Sequence, residues 1–163
     1  MRDFNHSVNV LVRAYMNDTL EHNNCYACAV GNLVADAYGY TYTDAVDGGC
    51  RKKKALLQNN GRYFDRDKSG INVGADWYNL IDFIDFIDPN PQDPKGLKEI
   101  EKTGYSFEEV KAIENAFESV SEYNKSEDQY MLDGLMAVVD VLADIHGIDI
   151  TAKEEAKKLF VKA

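Results

Sequence analysis

Apolar residues along this 163-residue chain recur mostly at helical spacing. Phe4, Val8, Leu11, Val12, Tyr15 and Met16 fall near the 3.6-residue period and predict a helix over about 4–20 with one apolar face. Asn17-Asp18 and Asn23-Asn24 then bracket a break. A second helix is expected over about 25–38, with Asn24 as N-cap and Gly39 just past its end. Ala27, Ala29, Val30, Leu33, Val34 and Ala37 lie almost all round that helix, which places it at the centre of the fold.

The middle of the chain is less regular. Tyr40-Thr41-Tyr42-Thr43 alternates like a short strand and is ended by the turn residues between Asp44 and Gly49. A short helix is expected over Arg51–Gln58, with Ala55, Leu56 and Leu57 inward and the basic residues outward. Asn59-Asn60-Gly61 stops it, and a long Asp/Gly loop follows over about 59–75. The tandem Ile81-Asp82-Phe83-Ile84-Asp85-Phe86-Ile87-Asp88 predicts a largely buried helix over about 76–87 with one wet edge. Pro89, Pro91 and Pro94 are all the prolines of the protein and mark a surface loop over 89–96. If the chain has two subdomains, they divide there.

Helix signals are strongest after residue 104. Ser106 with Glu109 forms a capping box, and Tyr105 with Val110 a hydrophobic staple. Ile113, Ala116, Phe117 and Val120 continue that helix on one face. Ser126 with Gln129 repeats the capping pattern, and Met131, Leu135, Val138, Val139, Leu142 and Ile145 lead to Gly147 as C-cap. Thr151 with Glu154 opens a last helix with Ala156, Leu159 and Phe160 as its inner face. The fold class is mainly α: a single compact helical domain of about six to seven helices.

Composition narrows the classes of function. A hydrophobic fraction of 45%, with 10 Tyr and 7 Phe, is that of a folded globular chain. A formal charge of −10 argues against general nucleic-acid binding, because neutralising phosphates needs a basic surface. Arg51-Lys52-Lys53-Lys54 is the one basic cluster. The acidity serves solubility, and it also suits a protein partner with a basic surface. Lys outnumbers Arg, and Asn and Tyr abound, a bias of AT-rich bacterial or phage genomes. No apolar run reaches the roughly eighteen residues of a membrane span, and the N-terminus has no apolar signal core. A soluble protein of the cytoplasm is expected, in the host or the virion if a phage encodes it.

The thiols carry the main candidate chemistry. His22, Cys25 and Cys28 are three apart and would form one stripe on a continuous helix. With Cys50 they make a Cys3His set of the kind that holds structural zinc, whose tetrahedral, borderline-soft demands thiolate and imidazole satisfy. Equally, Cys25 and Cys28 are small apolar residues of a buried helix. Three cysteines are too few for a disulfide framework and fit a reducing compartment. A redox pair at Cys25 and Cys28 would lie after a strand in a βαβ unit, a pattern missing ahead of Cys25.

Asn23-Asn24-Cys25-Tyr26, followed by a small-residue helix, resembles the nucleophile region of papain-like cysteine hydrolases. The resemblance covers only these few residues. It implies Cys25 as nucleophile, its thiolate favoured at a helix N-terminus, and a downstream histidine as base. His146 is the one histidine downstream, at an expected helix C-terminus.

Asp65-Arg66-Asp67-Lys68-Ser69-Gly70, running on to Asp76, has the spacing of a twelve-residue calcium loop. Asp65, Asp67 and Ser69 would supply oxygens at positions one, three and five, Ile71 its carbonyl at seven, and Asp76 the last carboxylate. The competing reading is an Asp/Ser/Gly turn with Asp76 capping the next helix. Asp133, Asp140 and Asp144 share related faces of one helix without a Glu-x-x-His partner, which is the pattern of a solvated face. The functional expectation is a small acidic interaction or accessory protein, with the zinc set, the calcium loop and a thiol enzyme using Cys25 as alternatives.

Overall fold

The computed structural model describes residues 3–22, 28–37, 41–44, 54–57 and 101–162. Among these, five helices carry the core: α1 (Phe4–Met16), α2 (Ala29–Ala37), α3 (Phe107–Glu118), α4 (Glu127–His146) and α5 (Ile150–Lys157). The protein is mainly α. Strands β1 (Thr41–Asp44) and β2 (Lys54–Leu57) pair antiparallel, with Thr41 opposite Leu57 and Asp44 opposite Lys54. The expected helix over Arg51–Gln58 is therefore corrected at Lys54–Leu57. A segment that short gains little from helix propagation, whereas a lone strand at Thr41–Asp44 needs a partner for its backbone groups. The loops over 59–75 and 89–96 and the helix over 76–87 lie outside the described residues.

The helices pack as a layered bundle. α3 lies along α4, α2 touches α1 and α3, and α4 is flanked by α1 and α5. Leu11, Val8 and Val10 of α1 meet Ile113 and Phe117 of α3 and Leu135 and Leu142 of α4 in one core, all buried. Each such side chain contributes about 1.5–3 kcal/mol by leaving water. Two residues assigned inward by periodicity are exposed: Met16 in the last turn of α1 and Leu159 beyond the end of α5. Val10 and Ala14 are buried instead, so α1 is covered over a wider arc than its large apolar residues imply.

Local chemistry sets the ends. α1 stops at Met16, short of Leu20, in a Schellman turn. Thr19 N–H donates to the Ala14 carbonyl and Asp18 N–H to that of Tyr15, with Asp18 at φ 55°. Aspartate tolerates this left-handed position where glycine is usual. α3 has the expected reciprocal box: Ser106 Oγ accepts from Glu109 N–H, and Glu109 accepts from Ser106 N–H. α4 has half of one, since Ser126 Oγ accepts from Gln129 N–H while the Gln129 side chain donates to Asp133 instead. Gly147 closes α4 at φ 65°. α5 is capped by Asp149, which accepts from Ala152 N–H, two residues before the expected Thr151.

Candidate functional site

The turn after α1 brings His22 against the junction of α3 and α4. Its position is set by Asn32 on α2, whose fully buried amide donates to the Thr19 and Cys28 carbonyls and whose Oδ1 accepts from the Thr19 hydroxyl. His22 is sandwiched between aromatic rings: Phe117 at 4.3 Å and Tyr130 at 3.7 Å between centroids, both within 14° of parallel. Its side chain is 5% exposed. Nε2 lies 3.1 Å from the Tyr130 carbonyl. A carbonyl only accepts, so Nε2 carries a proton. Nδ1 faces a Glu118 carboxylate oxygen at 3.4 Å.

A cleft of about 420 Å³ opens beside this stack, lined by Glu21, His22, Glu122, Lys125, Ser126, Glu127, Tyr130 and Met131. Three carboxylates stand against one ammonium. That ammonium is already committed, since Lys125 Nζ is 2.6 Å from Asp133 Oδ2, and the pair holds the Asp133 carboxyl below its usual range.

Cys28 precedes α2 and is fully buried. Its Sγ accepts from Gly31 N–H at 3.3 Å, and its carbonyl from Asn32 N–H, so it acts as the cap of that helix. Among the described residues, His22 belongs to a turn and α2 runs over Ala29–Ala37; the stripe expected for His22, Cys25 and Cys28 turns on Cys25. Cys25 and Cys50 lie outside the described residues, as do Asp65, Asp67, Ser69, Ile71 and Asp76. Among the described residues, no three His, Cys, Asp or Glu side chains form a group that could hold a metal ion.

His146 stands in the last turn of α4, as expected, and its Nε2 meets the Tyr105 hydroxyl at 2.8 Å. That hydroxyl also meets Ser7 Oγ at 2.6 Å, making a chain of polar groups through the core. His6, on the outer side of α1, pairs with Asp36 of α2 at 2.6 Å. Asp133 and Asp140, read as members of a solvated face, each take a lysine: Lys125 for the first, Lys153 and Lys157 for the second.

Periodicity did not single out Glu118, Glu122, Glu127 or Tyr130. Glu127 stands in the first turn of α4, where the helix dipole favours any carboxylate. Glu122 has no such cause, and its place in the turn between two capped helices was the available signal.

No family model, no curated protein and no solved structure matches this chain. No helix among the described residues is long and apolar enough to cross a membrane.

Proposed function

We propose that this is a small acidic interaction protein whose partner is a protein with a basic surface. One observation carries the reading: the described lysines are largely consumed within the fold. Lys125 is bound to Asp133, Lys153 and Lys157 to Asp140, Lys158 to Glu155, and Lys162 to Asp18 and Asp128. The exposed carboxylates of Glu108, Glu122 and Glu127 have no ion-pair partner among the described residues. The field outside the protein is therefore negative in a way that internal pairing does not cancel, and such a field steers basic partners.

Affinity capture from the source cells, with bound proteins identified by mass spectrometry and crosslinks mapped, tests the proposal. A partner with a basic patch, crosslinked to acidic residues and released as salt rises to about 0.3 M, supports it, since such attraction is screened. An uncharged or acidic partner held equally at high salt overturns it.

A structural zinc held by His22, Cys25, Cys28 and Cys50 is a second reading, favoured by the Gly31 N–H bond to Cys28 Sγ, because donors to sulfur stabilise a thiolate. Elemental analysis of protein purified without chelator decides it. Stoichiometric zinc lost in Cys28→Ser supports the site, and metal-free protein of unchanged stability removes it. The thiol-enzyme alternative predicts rapid iodoacetamide trapping of Cys25 at neutral pH.

A further inference from the structure

We propose that the site made by Tyr15, Asp18 and Asp128 docks an aromatic-x-Lys segment of the partner, and that this chain's own Phe160-Val161-Lys162 occupies it as an internal stand-in. The inference rests on the interaction reading above and names the segment that the partner offers.

The manner of attachment comes first. α5 ends at Lys157, and beyond its cap, Lys158, the residues Leu159–Lys162 continue as a strap that reaches α1 and α4. The backbone bonds of the strap stay local: Phe160 N–H donates to the Lys157 carbonyl and Val161 N–H to that of Leu159. Among the described residues, no backbone hydrogen bond ties it to α1 or α4. Alternate side chains hold it instead. Phe160 is 5% exposed and meets the Tyr15 ring in a T-shaped contact at 6.2 Å. Lys162 Nζ stands 4.7 Å from the centroid of the same ring. Leu159 and Val161 are 51% and 65% exposed. Every second side chain held and the others in solvent is how a short extended peptide lies on a surface.

The receptor is built by elements other than its occupant. Tyr15 belongs to α1 and donates its hydroxyl to Asp128 at 2.9 Å. Asp18 is set by the Schellman turn after α1, and Asp128 by the first turn of α4, which Ser126 caps. Two carboxylates beside an aromatic face make a cage for an ammonium, and Lys162 Nζ lies 2.8 Å from Asp18 and 2.9 Å from Asp128. Among the described residues, Lys162 is the one cation paired with either carboxylate. With the strap lifted, an aromatic floor and two negative charges stand ready for an incoming cation, at little further ordering cost.

Lifting the strap asks little of the fold. Both ion pairs are partly exposed, the kind that contributes least. α5 buries only Ala156 of its own residues, so the strap opens locally while the core between α1 and α4 stays in place. Being tethered, the strap competes at an effective concentration of about a millimolar. A partner segment therefore gains the site by displacing it, and the strap is an autoinhibitory contact.

Titration of the 15N-labelled protein with an end-blocked peptide copying Leu159–Lys162 tests the assignment, with end-blocked Gly-Gly-Gly-Lys as the control of equal charge. Phe160→Ser/Lys162→Ser empties the site. In that variant the copy is expected to shift the amides of Tyr15–Leu20 and Glu127–Tyr130 and to bind about tenfold or more tighter than in the wild type, because no tether competes. Adding Asp128→Asn should weaken it about threefold or more. In the wild type, excess copy should move the amides of Leu159–Lys162 to the positions of an unstructured chain, a readout that needs no variant to fold. Equal binding by wild type and emptied variant, or Gly-Gly-Gly-Lys bound as tightly as the copy, overturns the site and leaves a diffuse acidic attraction intact. Absence of shifts with either peptide in either protein also overturns the site, while the salt-dependent capture described above still reports on the interaction reading alone.

Discussion

Gly134 of α4 faces His22 so closely that a Cβ placed on it would lie 2.8 Å from the imidazole Cε1. The same Cβ would meet the Phe117 carbonyl at 2.9 Å and its ring at 3.0 Å. Glycine in a helix interior ordinarily costs about 0.5–1 kcal/mol against alanine. Here the sign should reverse. Gly134→Ala is expected to lower stability by about 1–3 kcal/mol, because a backbone oxygen and a stacked ring must both move. Thermal or urea denaturation checks this, and an alanine variant as stable as the wild type would show that the stack is loose. Gly31→Ala is no substitute test, since Gly31 lies in α2 and bears on Cys28.

The polar chain through the core is expected to matter as a unit. Tyr105 is 3% exposed and its hydroxyl meets both Ser7 and His146. Tyr105→Phe removes the atom both groups share, so a loss of about 1–3 kcal/mol is expected. Ser7→Ala in the phenylalanine background should then cost less than Ser7→Ala alone. Strictly additive losses in that double-mutant cycle would mean the two hydrogen bonds are independent.

Helix ends show what sequence could and could not deliver. The Ser106 box was legible because both halves are side chains within three residues, and the structure has both bonds. The start of α5 was not, because Asp149 and Thr151 are both good caps and only tertiary packing selects between them. Asp149→Ala should cost about 0.5–2 kcal/mol and Thr151→Ala only a few tenths. A reversed order, read from denaturation midpoints, would restore the later start.

The same distinction applies to the candidate site. Cys28 was visible as a buried helix-entry residue, and it is one. His22 was singled out by its spacing to cysteines, which is a one-dimensional signal. Its contacts with Phe117, Glu118 and Tyr130 are some hundred residues away in the chain, and nothing in local periodicity links a turn histidine to a helix junction. The strand at Lys54–Leu57 was misread for a related reason. Strand formation depends on a partner that a short apolar run does not itself specify.

The C-terminal clasp should confer stability with a definite pH window. Lys162 Nζ bridges Asp18 at 2.8 Å and Asp128 at 2.9 Å and lies over the Tyr15 ring, while the Tyr15 hydroxyl donates to Asp128. Lys162's hydrogen bond, then Tyr15's, hold the Asp128 carboxyl below its usual range despite burial. Burial pulls the Lys162 ammonium down, but Asp18 and Asp128 outweigh it and leave the group well above the usual lysine value. A lowered carboxyl contributes stability above its unfolded value, near 3.9, that is lost as pH falls through the folded one. A raised ammonium contributes stability below its unfolded value, near 10.4, that is lost as pH rises through the folded one. Tyr15, raised by burial and then by Asp128, adds to the alkaline loss. Lys162→Met should therefore cost a few tenths to about 1 kcal/mol at neutral pH, since the pair is partly exposed. The gap between variant and wild type in thermal melts should shrink below about pH 4 and above about pH 10. It should also narrow in high salt. A gap unchanged at pH 3 would mean that Lys162 acts through its aliphatic stem on Tyr15 rather than through its charge.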